Sequence, residues 1–235
     1  MEYYDRHLTV QDKLFGATTL APSRAATLKK TYLLLSLSVV SAIAGGYVGA
    51  TSEGAVKLFS SWLGWILAML VLNIVPRIAM AARDNPLLGI TALLFDGFLS
   101  GLVLAPILYL ASVIAPGIVF NAMAMTALVF VGVTAYVMTA NRSFSAPRGL
   151  MVGLFFSIIG AVVLNGFLHI GMLGMLISVA VGVMGVLILV YATSDVLNNP
   201  EGGGAISGAL MLFAGLFNIF VAILNLLLSF GRSRD

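Results

Sequence analysis

Apolar and polar residues do not alternate along this chain; they run in blocks. Seven apolar runs lie near 31–50, 58–79, 87–110, 118–140, 149–168, 171–194 and 206–229. Each meets the roughly 20 residues that a helix needs to cross a bilayer. TSEGAVK, AARDNP, APG, NRSFSAPR, a tight turn near Gly171 and SDVLNNPEGGGAIS separate them. These segments are rich in Gly, Pro, Asn, Asp and Ser, which tolerate turns. A membrane barrel needs alternating segments of about 10 residues, and these runs are apolar on consecutive positions for twice that length. In lipid, a helix satisfies its backbone hydrogen bonds within one segment. The pattern therefore predicts an all-α membrane protein, a seven-transmembrane-helix bundle. Residues 29–235 form the membrane domain and residues 1–28 a polar N-terminal arm.

Composition agrees. The chain is 60% hydrophobic and only 9% charged, against about 25% charged in a soluble domain. The net charge of +3 is spread over short segments between apolar runs, with no basic face, so nucleic acid is not an expected partner. There is no Cys, hence no disulfide framework and no thiolate chemistry. The arm has no apolar core before a small-residue cleavage site, so no cleaved signal peptide is expected.

Positive charge sets orientation. Arg6, Lys13, Arg24, Lys29 and Lys30 precede the first run, Arg77 and Arg83 close the second, and Arg142 and Arg148 follow the fourth. Lys57, Arg232 and Arg234 fall on the opposite side. A cytoplasmic N-terminus and a periplasmic C-terminus follow. A six-span count with one re-entrant run would bring the C-terminal arginines inside; seven is preferred because every run is long enough to cross.

The glycines at 45, 46 and 49, at 97 and 101, and at 182 and 185 are read first as close-packing positions. Pore lining or a hinge is the lesser alternative. No repeat relates the two halves of the chain, which weakens an inverted-repeat transporter. Pro106 removes a backbone donor and should kink the third span.

Few polar groups lie within the runs. Asp96 stands about ten residues into the third, where a carboxylate is costly and a functional candidate by default. It is either a hydrogen-bonded strut or a proton-titratable or cation-attracting site. Arg77, at the end of the second run, is the nearest cation in sequence. Asp195 closes the sixth run as a helix-end residue or a residual cation site. Asn218, mid-way through the last run, is a candidate partner for a neighbouring helix. Asn73, Thr134, Asn165 and Asn225 read as structural hydrogen bonders. His7 and His169 have no companion at metal-ligand spacing, so no metal site is assigned. Residues 202–204 are Gly-Gly-Gly without a following Lys-Ser/Thr, hence no phosphate loop. No nucleophile motif or cofactor signature is present, and an enzyme is not expected.

Four stretches carry a family likeness: LKKTYLLLSLSVVSAIAGGYVG (28–49), FDGFLSGLVLAPIL (95–108), TALVFVGVTAYVMTANRSFS (126–145), and YATSDVLNN (191–199) followed by ALMLFAGLFNIFVAILNLL (209–227). In this order, over about residues 27–235, the chain resembles the Bax inhibitor-1 family. The ending SFGRSRD is similar to its bacterial YccA-like branch. The resemblance implies a seven-helix fold with the last helix central. For many members it implies a pH-sensitive Ca²⁺ leak that depends on two acidic residues facing each other on the last two helices. For the YccA-like branch it implies inhibition of FtsH, a membrane-anchored ATP-dependent protease, in the bacterial inner membrane.

The acidic pair is absent. In leak-type members the first acid directly follows the Tyr of the sixth span; Tyr191 is followed here by Ala192. The last-span motif places Gly215 at the second position. Two carboxylates held close share a proton because both cannot ionise cheaply, and one alone cannot do this. Asp195, three residues after Ala192, stays on nearly the same helix face. Three functions remain open: a modulator of an FtsH-type protease with the arm as its handle, a Ca²⁺ or proton leak, or a purely structural membrane protein.

Overall fold

The computed structural model describes residues 22–140, 143–145, 148–199 and 204–232. Among them every regular element is a helix: α1 (Pro22–Thr51), α2 (Glu53–Ser60), α3 (Trp62–Ala81), α4 (Pro86–Val103), α5 (Ala105–Ile114), α6 (Ile118–Thr139), α7 (Arg148–Leu168), α8 (Gly171–Asn198) and α9 (Gly204–Arg232). Seven of these are long and apolar enough to cross a bilayer; α2 and α5 are too short. The expected arm lies outside the described residues as far as residue 21, and residues 22–28 form the opening turns of α1.

The expected boundaries shift where capping overrides hydropathy. The run near 58–79 is two helices, because Ser61 ends one and begins the next. Its hydroxyl donates to the Leu58 carbonyl at 2.6 Å and accepts from the Gly64 N–H at 3.0 Å, which satisfies orphan groups of both helix ends. The segment TSEGAVK is largely α2, capped by Ser52 and braced by Lys57–Glu53 at 3.3 Å. The run near 87–110 breaks at Leu104, two residues before Pro106. Pro106 offers no N–H to the Leu102 carbonyl and its ring clashes there, so α4 stops and α5 restarts with proline in its first turn. The run near 171–194 continues to Asn198.

The turn joining α7 to α8 places His169 at φ 52°, the left-handed region that Gly usually occupies after a helix. Asn165 holds it: its carbonyl accepts from the His169 N–H at 2.8 Å and its side-chain oxygen from the Ile170 N–H at 3.0 Å.

The last helix is the centre of the bundle. Three buried clusters run along it: Ala205, Ile206, Ala209 and Leu210 in one, Leu212, Phe213 and Ile219 in the second, Leu224 and Leu228 in the third. α9 touches α1, α3, α4, α5, α6 and α8, whereas α7 touches α8 alone. Elsewhere large apolar side chains cover the exterior, as lipid-facing surfaces require. Tyr47, Trp62, Trp65 and Tyr109 are exposed near the ends of spans on the side where α1 finishes, the place of an interfacial aromatic belt.

The α1–α4 pair packs backbone against backbone. The Ser41 hydroxyl donates to the Leu94 carbonyl at 2.7 Å. Gly45 lies against the Phe98 carbonyl and Gly101 against that of Ala42, and a Cβ at either would overlap the oxygen. The packing reading of these glycines holds, and lost side-chain volume is exchanged for backbone contact.

Candidate functional site

α8 and α9 run antiparallel along a seam in which a small residue on one helix receives a larger one from the other. Gly182 meets Ala222 and Gly185 meets Ile219, with a glycine Cβ reaching to 3.1 and 2.9 Å of them. Gly215 then meets Leu189, and Gly208 meets Val196, at 3.1 and 2.6 Å by the same measure. Ala192 and Leu212, both fully buried, fall between these contacts. On α8 the seam positions are 182, 185, 189, 192 and 196, an alternating three-four spacing that keeps one helix face on its partner.

Ala192 and Gly215 therefore stand within this interdigitated seam. The two positions at which the family resemblance leads one to expect acids are here filled by a methyl group and by a notch that admits Leu189. A carboxylate at either would have to displace packed atoms.

Asp195 belongs to the last turn of α8. Asn199 caps it, donating its backbone N–H to the Asp195 carbonyl at 2.7 Å and its side-chain amide to Asp195 Oδ1 at 3.3 Å. Beside it, the Ser194 hydroxyl is buried and accepts the Phe144 N–H at 2.8 Å, which ties the α6–α7 connection to this end of α8. The side chain of Asn198 donates to the Ser194 carbonyl at 2.8 Å. The surroundings are those of a tied-down helix terminus.

Asp96 is different. It is 4% exposed on α4, in a buried stripe with Leu93 one turn before and Ser100 one turn after. α4 begins at Pro86, so at 1.5 Å per residue Asp96 lies about 15 Å along it, near mid-bilayer. It forms no hydrogen bond or ion pair among the described residues. Polar groups on the helices that pack against α4 are committed elsewhere: on α1 the Ser38 hydroxyl donates to Leu34 O at 2.9 Å, and on α3 Asn73 Nδ2 donates to Met69 O at 2.8 Å.

The candidate residues do not converge. α4 and α8 do not touch, so Asp96 and Asp195 belong to separate parts of the bundle. Arg77 is exposed near the end of α3 and makes no ion pair with Asp96; a long cationic side chain there can extend to the interface. Asn218 packs its Cβ on Gly185 but donates its amide to Ala214 O of its own helix at 2.9 Å. Among the described residues no three His, Cys, Asp or Glu side chains gather as metal ligands.

The family model described as "Inhibitor of apoptosis-promoting Bax1" matches residues 24–232. The chain belongs to the Bax inhibitor-1 family. Uncharacterized proteins of Campylobacter jejuni and Neisseria meningitidis are similar along nearly their whole length. The first is 28% identical over 98% of this chain and 99% of its own. The second is 32% identical over 94% and 98%. "Modulator of FtsH protease YccA" of Escherichia coli K12 is 32% identical over 85% of this chain and 88% of its own. Members of this family are membrane regulators or channels, and a multi-span membrane protein with a central last helix fits that setting.

Sequence reasoning missed the buried hydroxyls of Ser38, Ser100, Thr193 and Ser194. For Ser100 the flanking Gly97 and Gly101 were the available signal, since small residues mark helix faces that approach closely; the other three carry no such mark.

Proposed function

We propose that this chain is an inner-membrane modulator of an FtsH-type membrane protease. One observation carries the reading: the Ala192 and Gly215 positions sit in a packed seam, so the acidic pair expected of a leak has no room. The likeness to the E. coli modulator supplies the partner class, and a relative of E. coli O6:H1 named as an inner membrane protein supplies the compartment. The N-terminal arm serves as the handle for the protease. The test is to overproduce the chain in E. coli lacking its own modulator and to follow the half-life of a membrane substrate of FtsH. A longer half-life that shortens again on deletion of residues 1–21 is expected. An unchanged half-life removes the reading.

A Ca²⁺ or proton leak is the second reading, supported by Asp96, the carboxylate buried in mid-span without a partner among the described residues. Ca²⁺ flux into liposomes across pH 5 to 8, wild type beside Asp96→Asn, decides it. A flux no greater than that of empty liposomes ends the leak reading; a flux lost in Asp96→Asn places the path along α4.

A further inference from the structure

Five threonine hydroxyls among the described residues share one bonding pattern, and two others depart from it. Thr31, Thr51, Thr91, Thr126 and Thr139 each donate to the carbonyl four residues back, at 2.7–3.0 Å. That bond is the usual refuge of a hydroxyl in an apolar helix. Thr134 of α6 and Thr193 of α8 do not make it. Both Oγ1 atoms are buried and have no hydrogen-bond partner among the described residues, and Thr193 as a whole is 0% exposed. Neither hydroxyl makes the bond back to its own helix that the other threonines make.

The two stand on neighbouring helices, each near the C-terminal end of its own. α6 and α8 are separated by a single span, so they run in the same direction, and they touch. Thr134 stands about one and a half turns before Thr139, the last residue of α6, and Thr193 the same distance before Asn198, the last of α8. Val133, next to Thr134, packs on the cluster that contains Ala192, next to Thr193. Phe130, one turn before Thr134, meets the ring of Tyr32 edge-on at 6.3 Å, and Tyr32 packs on the same cluster. Its phenol is a third polar group in this part of the bundle.

We propose that Thr134 and Thr193 hold an ordered water between α6 and α8, buried within the membrane domain. Buried waters bind where two to four otherwise unsatisfied polar groups converge, and a bridging water restores bonds that neither hydroxyl finds in protein. A hydroxyl both donates and accepts, so one water can take a hydrogen from one threonine and give one to the other.

A double-mutant cycle tests this. Valine keeps the shape of threonine and removes the hydroxyl. If the two share a water, Thr134→Val and Thr193→Val each lower the melting temperature in detergent by about 2–4 °C. The double variant falls no further than the worse single one, and Thr193→Ser stays near wild type. Water-to-amide magnetisation transfer in the wild-type protein then shows a long-lived water at residues 134 and 193. A valine variant that melts at or above the wild-type temperature overturns the proposal, because deleting an unsatisfied hydroxyl is neutral or stabilising. Two losses that simply add overturn it as well, as does the lack of a long-lived water signal.

Discussion

Leu189 of α8 fills the notch that Gly215 of α9 leaves open. A Cβ at 215 would lie 3.1 Å from both the Cβ and the backbone nitrogen of Leu189. The close fit explains why an acid is absent from this position. Gly215→Asp should lower stability by about 1–3 kcal/mol through overpacking alone, with a further loss for burying a carboxyl without partners. Thermal melting of the purified protein measures it. A variant as stable as wild type would mean the seam opens readily.

The α1–α4 contact gives a sharper contrast. Gly101 faces the Ala42 carbonyl, whereas nothing lies within 4 Å of a Cβ at Gly153 on α7. Gly101→Ala should cost about 1–3 kcal/mol because backbone cannot move aside cheaply. Gly153→Ala should be neutral or gain up to about 1 kcal/mol from helix propensity. Melting the two variants side by side separates glycine needed for approach from glycine tolerated on a lipid-facing helix.

Asp195 places a negative charge in the last turn of α8, next to the negative end of the helix dipole. Asp195→Asn should therefore raise stability by about 0.3–1 kcal/mol and leave any ion flux in liposomes unchanged. A loss of flux in this variant would assign Asp195 a place in an ion path.

Asp96 has no bonding partner among the described residues, so its carboxylate contributes no ion pair that Asp96→Asn could break. The substitution keeps the size of the side chain and should leave the melting temperature level or higher. A fall of more than about 3 °C, the equivalent of roughly 1 kcal/mol, would reveal a bond that the carboxylate makes.

Orientation can be read by chemistry, since the chain contains no cysteine. A single Lys57→Cys should react in intact cells with a membrane-impermeant maleimide admitted through the outer membrane. Arg83→Cys should react only once the inner membrane is opened. The reverse pattern would invert the topology that the positive charges imply.

The seven spans were legible because a 20-residue apolar run is a one-dimensional signal. Breaks inside such runs were not, since the residues on both sides of Leu104 are apolar and hydropathy does not register a missing N–H. The serine at 61 has the same effect in the opposite sense: one side chain ends a helix inside a continuous apolar stretch. The loss of acids at 192 and 215 was visible in the sequence. The reason there is no space for them appears only once α8 and α9 are paired, because a small residue in one helix has meaning only beside the residue opposite. Asp96 stood out from the sequence as an isolated charge. Thr134 was visible only as one more polar residue, and no sequence pattern reports that its hydroxyl lacks a partner among the described residues.

The central position of α9 also fixes an order in time. Translation runs from α1 toward α9, so the helix against which α1, α3, α4, α5, α6 and α8 are packed is made after all of them. At about 5–20 residues per second, roughly 10–35 seconds separate the entry of α1 from that of α9. During that interval six spans wait in the bilayer with their inward faces resting on lipid or on one another. The bundle closes only when its final segment arrives, so a ribosome that stalls before residue 204 leaves a complete set of walls with no core to lean on.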